Sequence, residues 1–170
     1  MKLNKLTAAV LLALAAGFGG GLIFSGLPAR AQNAKISPRE PAATAEEFKS
    51  HVIHYPDLPP VELVKGSNSR LIAGEQSMIS FLKMDAHSYF APHHHTQEQI
   101  MIVLDGDCDE IIDGKLYHVK KGDVIVLPSN IVHGAYIGNT DVQVIDVFGE
   151  VRGDYMMKAM QKMAELNTKK

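Results

Sequence analysis

The sequence has no tryptophan and a single cysteine, and aromatic residues make up only 6% of its 170 positions. The lone Cys108 excludes an intrachain disulfide framework and any zinc or redox site built on a Cys-x-x-Cys pair. So few aromatic side chains argue against a stacking platform for sugars or bases. Positive charge is not in excess either. There are 17 Lys and Arg against 19 Asp and Glu, a formal net charge of −2. The electrostatic footprint of a nucleic-acid-binding protein is therefore missing, and no nucleic-acid partner is expected. Disorder throughout is also excluded, because 46% of the residues are hydrophobic and 21% charged. The length suits one ordinary domain with its own core.

One long apolar stretch is present, at the N-terminus. Lys2 and Lys5 precede it, it runs from Leu6 to about Leu27, and Ala29-Arg30-Ala31 supplies small residues where a signal peptidase reads. Residues 1–31 are expected to be a secretory signal cleaved between Ala31 and Gln32, placing the mature chain in the periplasm or outside the cell. The stretch approaches the length of a membrane span, so an uncleaved N-terminal anchor is the alternative. The run Gly17-Phe18-Gly19-Gly20-Gly21 makes a poor helix interior and favours cleavage. No stable membrane insertion is then expected of the mature protein. Export implies an oxidising compartment, where a single thiol is best buried, and Cys108 sits inside a strand-like run.

The organisation that follows is a linker with a short helix (residues 32–60), a β domain (61–155) and a C-terminal helix and tail (156–170). Thr44-Ala45-Glu46-Glu47 carries a capping box that predicts a short helix from about 45 to 50. The run Tyr55 to Pro60 is too rich in proline for regular structure. Strands are predicted over 76–84, 99–104, 108–112, 115–119, 124–127, 133–137 and 142–148. Asp105-Gly106 and Asp113-Gly114 read as hairpin turns between them. Short strands at this spacing indicate an all-β sandwich or barrel. A terminal helix is expected from Tyr155 to Leu166, its stripe of Met156, Met160 and Met163 packing on the sheet.

The densest chemical signal is Pro92-His93-His94-His95-Thr96-Gln97-Glu98-Gln99. Side chains alternate along a strand, so His93 and His95 share a face and can share one ion. An unbroken strand puts Gln99 on that face and Glu98 on the other, whereas a bulge reverses the choice. His133, after the turn Pro128-Ser129-Asn130, offers a third imidazole. Three imidazoles and an amide are neutral, so a bound divalent ion would keep most of its charge and act as a strong Lewis acid. Zn, Ni, Fe and Mn all remain open. Asp146 and Phe148 share strand parity and can both face the barrel interior. Asp146 is then a candidate general acid or base, or a partner that orients a ligand His. Arg152 can hold a substrate carboxylate bidentately, or make a salt bridge for which Glu150 competes. Phe148 reads first as core packing. His51, His54, His87, His94 and His118 are not assigned to the metal, and Tyr89, Phe90 and Tyr136 are candidates to line the mouth.

These residues resemble the cupin superfamily. Its first motif, Gly-x5-His-x-His-x(3 or 4)-Glu-x6-Gly, is matched by His93, His95, Gln99 and Gly106. Its second, Gly-x5-Pro-x-Gly-x2-His-x3-Asn, is matched by Gly122, Pro128 and His133. His87 and Asn130 stand where the motifs have Gly, Gln99 where the first has Glu, and Ile137 where the second has Asn. The resemblance covers roughly residues 68 to 155 and implies a double-stranded β-helix, or jelly-roll barrel, an all-β fold with a short N-terminal helix and a C-terminal one.

Within that superfamily the chain is similar to the small single-domain cupins that open the ring of unsaturated uronates from pectin or alginate breakdown. Those use His, His, Gln and His on the metal and end their last core strand with Asp-Val-Phe-Ser-Pro-Pro-Arg-x-Asp. The counterpart here is Asp146-Val147-Phe148-Gly149-Glu150-Val151-Arg152-Gly153-Asp154. The resemblance implies His93, His95, Gln99 and His133 on one divalent ion, and Asp146, Phe148 and Arg152 working beside it. It further implies a small carboxylate-bearing substrate, isomerase- or lyase-type chemistry and a homodimer. A metal-dependent dioxygenase with the same ligands and a non-catalytic small-ligand binder are the alternatives.

Overall fold

The computed structural model describes residues 40–168. The expected signal peptide, its cleavage site at Ala31/Gln32 and residues 32–39 of the linker lie outside the described residues. Helix α1 (Ala45–His51) follows the capping box, and one 3-10 turn (Tyr55–Asp57) accommodates Pro56. Ten strands come next: β1 (Val61–Val64), β2 (Ser67–Ala73), β3 (Met78–Met84), β4 (Tyr89–His93), β5 (Gln99–Asp105), β6 (Asp107–Ile112), β7 (Lys115–Lys120), β8 (Val124–Leu127), β9 (His133–Ile137) and β10 (Val142–Phe148). Helix α2 (Gly153–Thr168) ends the chain. Among the described residues no helix is long and apolar enough to cross a membrane.

The strands form two antiparallel sheets, ordered β1-β2-β3-β10-β5-β8 and β4-β9-β6-β7. Burial alternates along β3, β5 and β10, so each strand gives one face to the interior. Met78, Met84, Val103, Leu127, Val142, Val144 and Phe148 fill the space between the sheets. At roughly 25 cal/mol per Å² of apolar surface removed from water, each contributes about 1.5–3 kcal/mol. This is the jelly-roll architecture expected from the sequence.

The two Asp-Gly dipeptides do different work. Asp113 and Gly114 have φ of +48° and +73°, the primed geometry of a two-residue hairpin, and they join β6 to β7 as expected. Asp105-Gly106 is not a hairpin. It joins β5 to β6, which lie in different sheets. Gly106 has φ +78°, and a Cβ there would sit 2.5 Å from the Asp141 carbonyl oxygen. The corner therefore needs glycine for its dihedral and for its lack of side chain.

Helix α2 corrects a second expectation. Tyr155 is buried and Met156 and Ala159 pack on the core, but Met160 is 66% and Met163 48% exposed. The methionine stripe thus touches the sheet only through its first turn. Cys108 is free and buried, as its strand position implied.

Candidate metal centre and its cavity

Strand pairing brings the two histidine motifs together. In the β4–β9 pair, His93 lies directly opposite His133. Phe90 pairs with Ala135, two residues later on β9, so three steps along β4 match two along β9, and the extra residue forms a bulge at Ala91-Pro92. Proline fits here because a bulge needs no ladder hydrogen bond from it. The bulge also resets the parity: Phe90 and His93, three apart, both line the interior cavity.

The strand does not run unbroken from His93 to Gln99, as the parity argument for the amide assumed. Residues 94–98 form a loop, and Gln99 opens β5. Gln99 nevertheless turns inward and Glu98 outward. The loop is tied back by the Asn130 N–H, which donates to the His95 carbonyl at 2.8 Å. Asn130 has φ +62° and His87 φ +63°, the left-handed conformation in both places where the cupin motif carries Gly. Asn and His are among the non-glycine residues that enter this region most readily, so the motif's backbone survives both substitutions.

The imidazoles of His93, His95 and His133 converge, with one nitrogen of each lying within 4.8 Å of the others. Nδ1–H of His93 donates to the Ala91 carbonyl at 3.0 Å and Nδ1–H of His133 to the Ile131 carbonyl at 2.9 Å. A carbonyl can only accept, so these contacts place the proton on Nδ1 and leave the Nε2 lone pair to a metal. Nε2 of His95 lies 3.1 Å from Oε1 of Gln99. Burial pushes His133 down to about 4. Burial, aided by the charge of Arg152, also lowers His95. Both rings are therefore neutral near pH 7, the form that ligates a metal. The donor set fits one divalent ion, with Gln99 placed to add its amide oxygen.

Behind the histidines runs a buried polar chain. Gln99 Nε2 donates to Asp146 Oδ1 at 2.8 Å. The Ser80 hydroxyl also bonds Asp146, and Ser80 and Ser69 share a hydrogen bond of 2.8 Å. Burial pushes Asp146 up to about 7 although Gln99, Ser80 and Arg152 all favour its charged form. Phe148 is fully buried and meets His95 edge to face, with ring centroids 5.6 Å apart. It props a candidate ligand.

Arg152 already has one carboxylate partner. Nε and Nη2 donate to the two carboxylate oxygens of Asp154 at 3.1 and 2.6 Å. Asp154, not Glu150, is thus its partner. The guanidinium is 6% exposed and lies 4.0 Å from the ring centroid of Tyr155. Nη1 is buried and has no partner among the described residues. Asp154 takes one N–H each from Nε and Nη2, so the Nη1/Nη2 end of the guanidinium still carries donors for a substrate carboxylate.

Two spaces result, with Phe90, His93 and Tyr155 common to their linings. The inner one, about 30 Å³, lies among His93, Gln99, Glu110, His133 and Asp146 and holds little more than one water-sized group. The outer one, about 280 Å³, is bordered by Leu63, Phe90, His93, Arg152, Tyr155 and Lys158. Tyr89 and Tyr136 do not line it. They stack on each other, 4.7 Å apart and half exposed, as neighbours across the β4–β9 pair. Neither Glu110 nor Tyr155 was singled out in the sequence as a site residue. Alternation from buried Cys108 puts Glu110 inward, a signal that goes unnoticed in a run of Asp-Cys-Asp-Glu. Burial and the nearby Asp146 charge push Glu110 up to about 8.

Two antiparallel sheets enclosing a cluster of histidines from two neighbouring strands and the loop after one of them define a double-stranded β-helix protein with a candidate metal centre. Residues 80–148 match the family model of the cupin domain. Among solved structures it is similar to an RmlC-like cupin from Shewanella frigidimarina (22% identity, 62% of this chain and 95% of that one, TM-score 0.58). It is also similar to KdgF from a Halomonas species (27% identity, 61% and 94%, TM-score 0.55). A third likeness is to the polyketide cyclase RemF from Streptomyces resistomycificus (18% identity, 60% and 80%, TM-score 0.55). No curated protein matches the sequence.

Proposed function

We propose that this cupin is exported and acts on a small sugar acid, opening the ring of an unsaturated uronate. The observation that carries the reading is the convergence of His93, His95 and His133, with Gln99 and Asp146 hydrogen-bonded to each other in the cavity that His93 and His133 also line. The likeness to KdgF and the Asp146-x-Phe148-x3-Arg152 block support it. A divalent ion held by the three imidazoles and the Gln99 amide supplies Lewis acidity to a carbonyl or hemiacetal oxygen. Asp146, fixed by Gln99 and Ser80, moves the proton. Arg152 meets the substrate carboxylate from its Nη1 side, its Nε side being held by Asp154. The outer space takes the sugar ring, and the inner one takes a single substituent. A homodimer belongs to the same proposal, and the exposed Met157, Met160, Met163 and Leu166 of α2 are apolar surface available to it.

The test begins with elemental analysis of the purified protein and of His93→Ala/His95→Ala. One equivalent of Zn, Ni, Fe or Mn is expected in the first and none in the second. The loaded protein should then convert unsaturated galacturonate to a linear keto acid without taking up oxygen. Oxygen uptake would replace this reading by a dioxygenase, and a metal-loaded protein that never yields product would replace it by a binding protein.

A further inference from the structure

Glu110 is an expensive residue to keep inside this barrel. It is 3% exposed, and its Oε2 is buried with no hydrogen-bond partner among the described residues. It lines the inner cavity with Gln99, His133 and Asp146, yet it is not one of the donors that converge for a metal. Asp146, the other acid lining that space, has its bonds from Gln99 and Ser80. A buried carboxyl left unsatisfied destabilises the fold, and such groups are retained where something outside the chain satisfies them. The space it faces, about 30 Å³, admits a group the size of one hydroxyl.

We propose that Glu110 is a specificity residue that hydrogen-bonds one hydroxyl of the ligand, so that the site selects hydroxylated acids over their deoxy counterparts. This rests on the sugar-acid reading for the identity of the ligand, but not for the hydroxyl contact. A site built to bond a hydroxyl rejects the analogue lacking it strongly, because the buried polar group is then left bare. An apolar pocket would discriminate weakly.

The test measures binding to the metal-loaded protein by calorimetry with two probe pairs, galacturonate against tetrahydropyran-2-carboxylate and glycolate against acetate. The wild type should favour the hydroxylated member of a pair by tenfold or more. Glu110→Leu should lose that preference while binding the deoxy member unchanged, and Glu110→Gln should recover part of it. The melting temperature of Glu110→Leu should equal or exceed that of the wild type, which a purely structural carboxyl would not allow. A wild type without preference in either pair, or a preference that survives Glu110→Leu, overturns the proposal. A preference confined to glycolate, with no conversion of the uronate, leaves the hydroxyl contact standing and removes the sugar-acid reading instead.

Discussion

The interior of the barrel has two halves of opposite character. At one end β10 contributes Val142 and Val144, facing Met84, Leu82 and Val103, while Ile137 pairs with Cys108 across the other sheet. Every one of these side chains is apolar or a thiol, and all are buried. Two to four residues further along the same strands, β10 presents Asp146, β9 His133, β5 Gln99 and β6 Glu110, also buried. The backbone and the pairing are continuous through both halves, so the fold does not require the polar one. The apolar half supplies transfer free energy. The polar half gives some of it up, since each buried polar group must recover its hydration from a partner. Stability and chemistry are thus held by different residues on shared strands.

The largest expected effect lies in the polar half. Asp146→Asn keeps an oxygen to accept the Gln99 hydrogen bond but cannot exchange a proton. If Asp146 moves the proton, turnover of unsaturated galacturonate should fall on the order of 10²–10⁴-fold. The bound metal and the urea midpoint should stay close to wild type. A variant that retained turnover would make Asp146 a structural partner of Gln99 and nothing more.

The reverse pattern is expected from Met84→Ala. Met84 is 2% exposed in the apolar half, and its truncation should cost about 2–5 kcal/mol of unfolding free energy through lost transfer energy and a residual cavity. Metal stoichiometry at a temperature where the variant is folded should not change. If the metal were lost together with stability, the two halves would be one cooperative unit and the division drawn above would fail.

The same division decides what the sequence reveals. The strands β3, β5, β8, β9 and β10 carry apolar alternation or apolar runs, and their places were legible from it. Strand β2 was not, because Ser67, Asn68, Ser69 and Arg70 do not look like a core strand, although Ser67 and Ser69 are fully buried. It is recruited by pairing with β3, a tertiary effect no local pattern records. The three histidines were legible as a set because two short motifs carry them. Their convergence was not, since it depends on the Pro92 bulge and on the register that sets His93 against His133. Arg152 shows the limit most clearly. Its identity was visible, but its partner, Asp154, follows from the chain turning into α2.

The smallest effect expected is on Cys108, and it probes whether the apolar half is closed. Burial pushes its thiol up to about 12, and the nearby carboxylates of Glu110, Asp107 and Asp109 add to the shift. The thiolate is the reactive form. At pH 8 roughly 10⁻⁴ of the folded protein would carry it, against a sizeable fraction of an unfolded chain whose thiol titrates at about 8.5. Iodoacetamide should therefore label the native protein at a negligible rate and the urea-unfolded protein within minutes. The sign for stability follows, since the folded state keeps a proton that the unfolded state releases between the ordinary thiol range and about 12. Unfolding free energy should decline as pH rises through that window. Rapid labelling of the native protein would mean that the apolar end opens on its own. The space around Asp146 and Glu110 would then be reachable from both ends of the barrel.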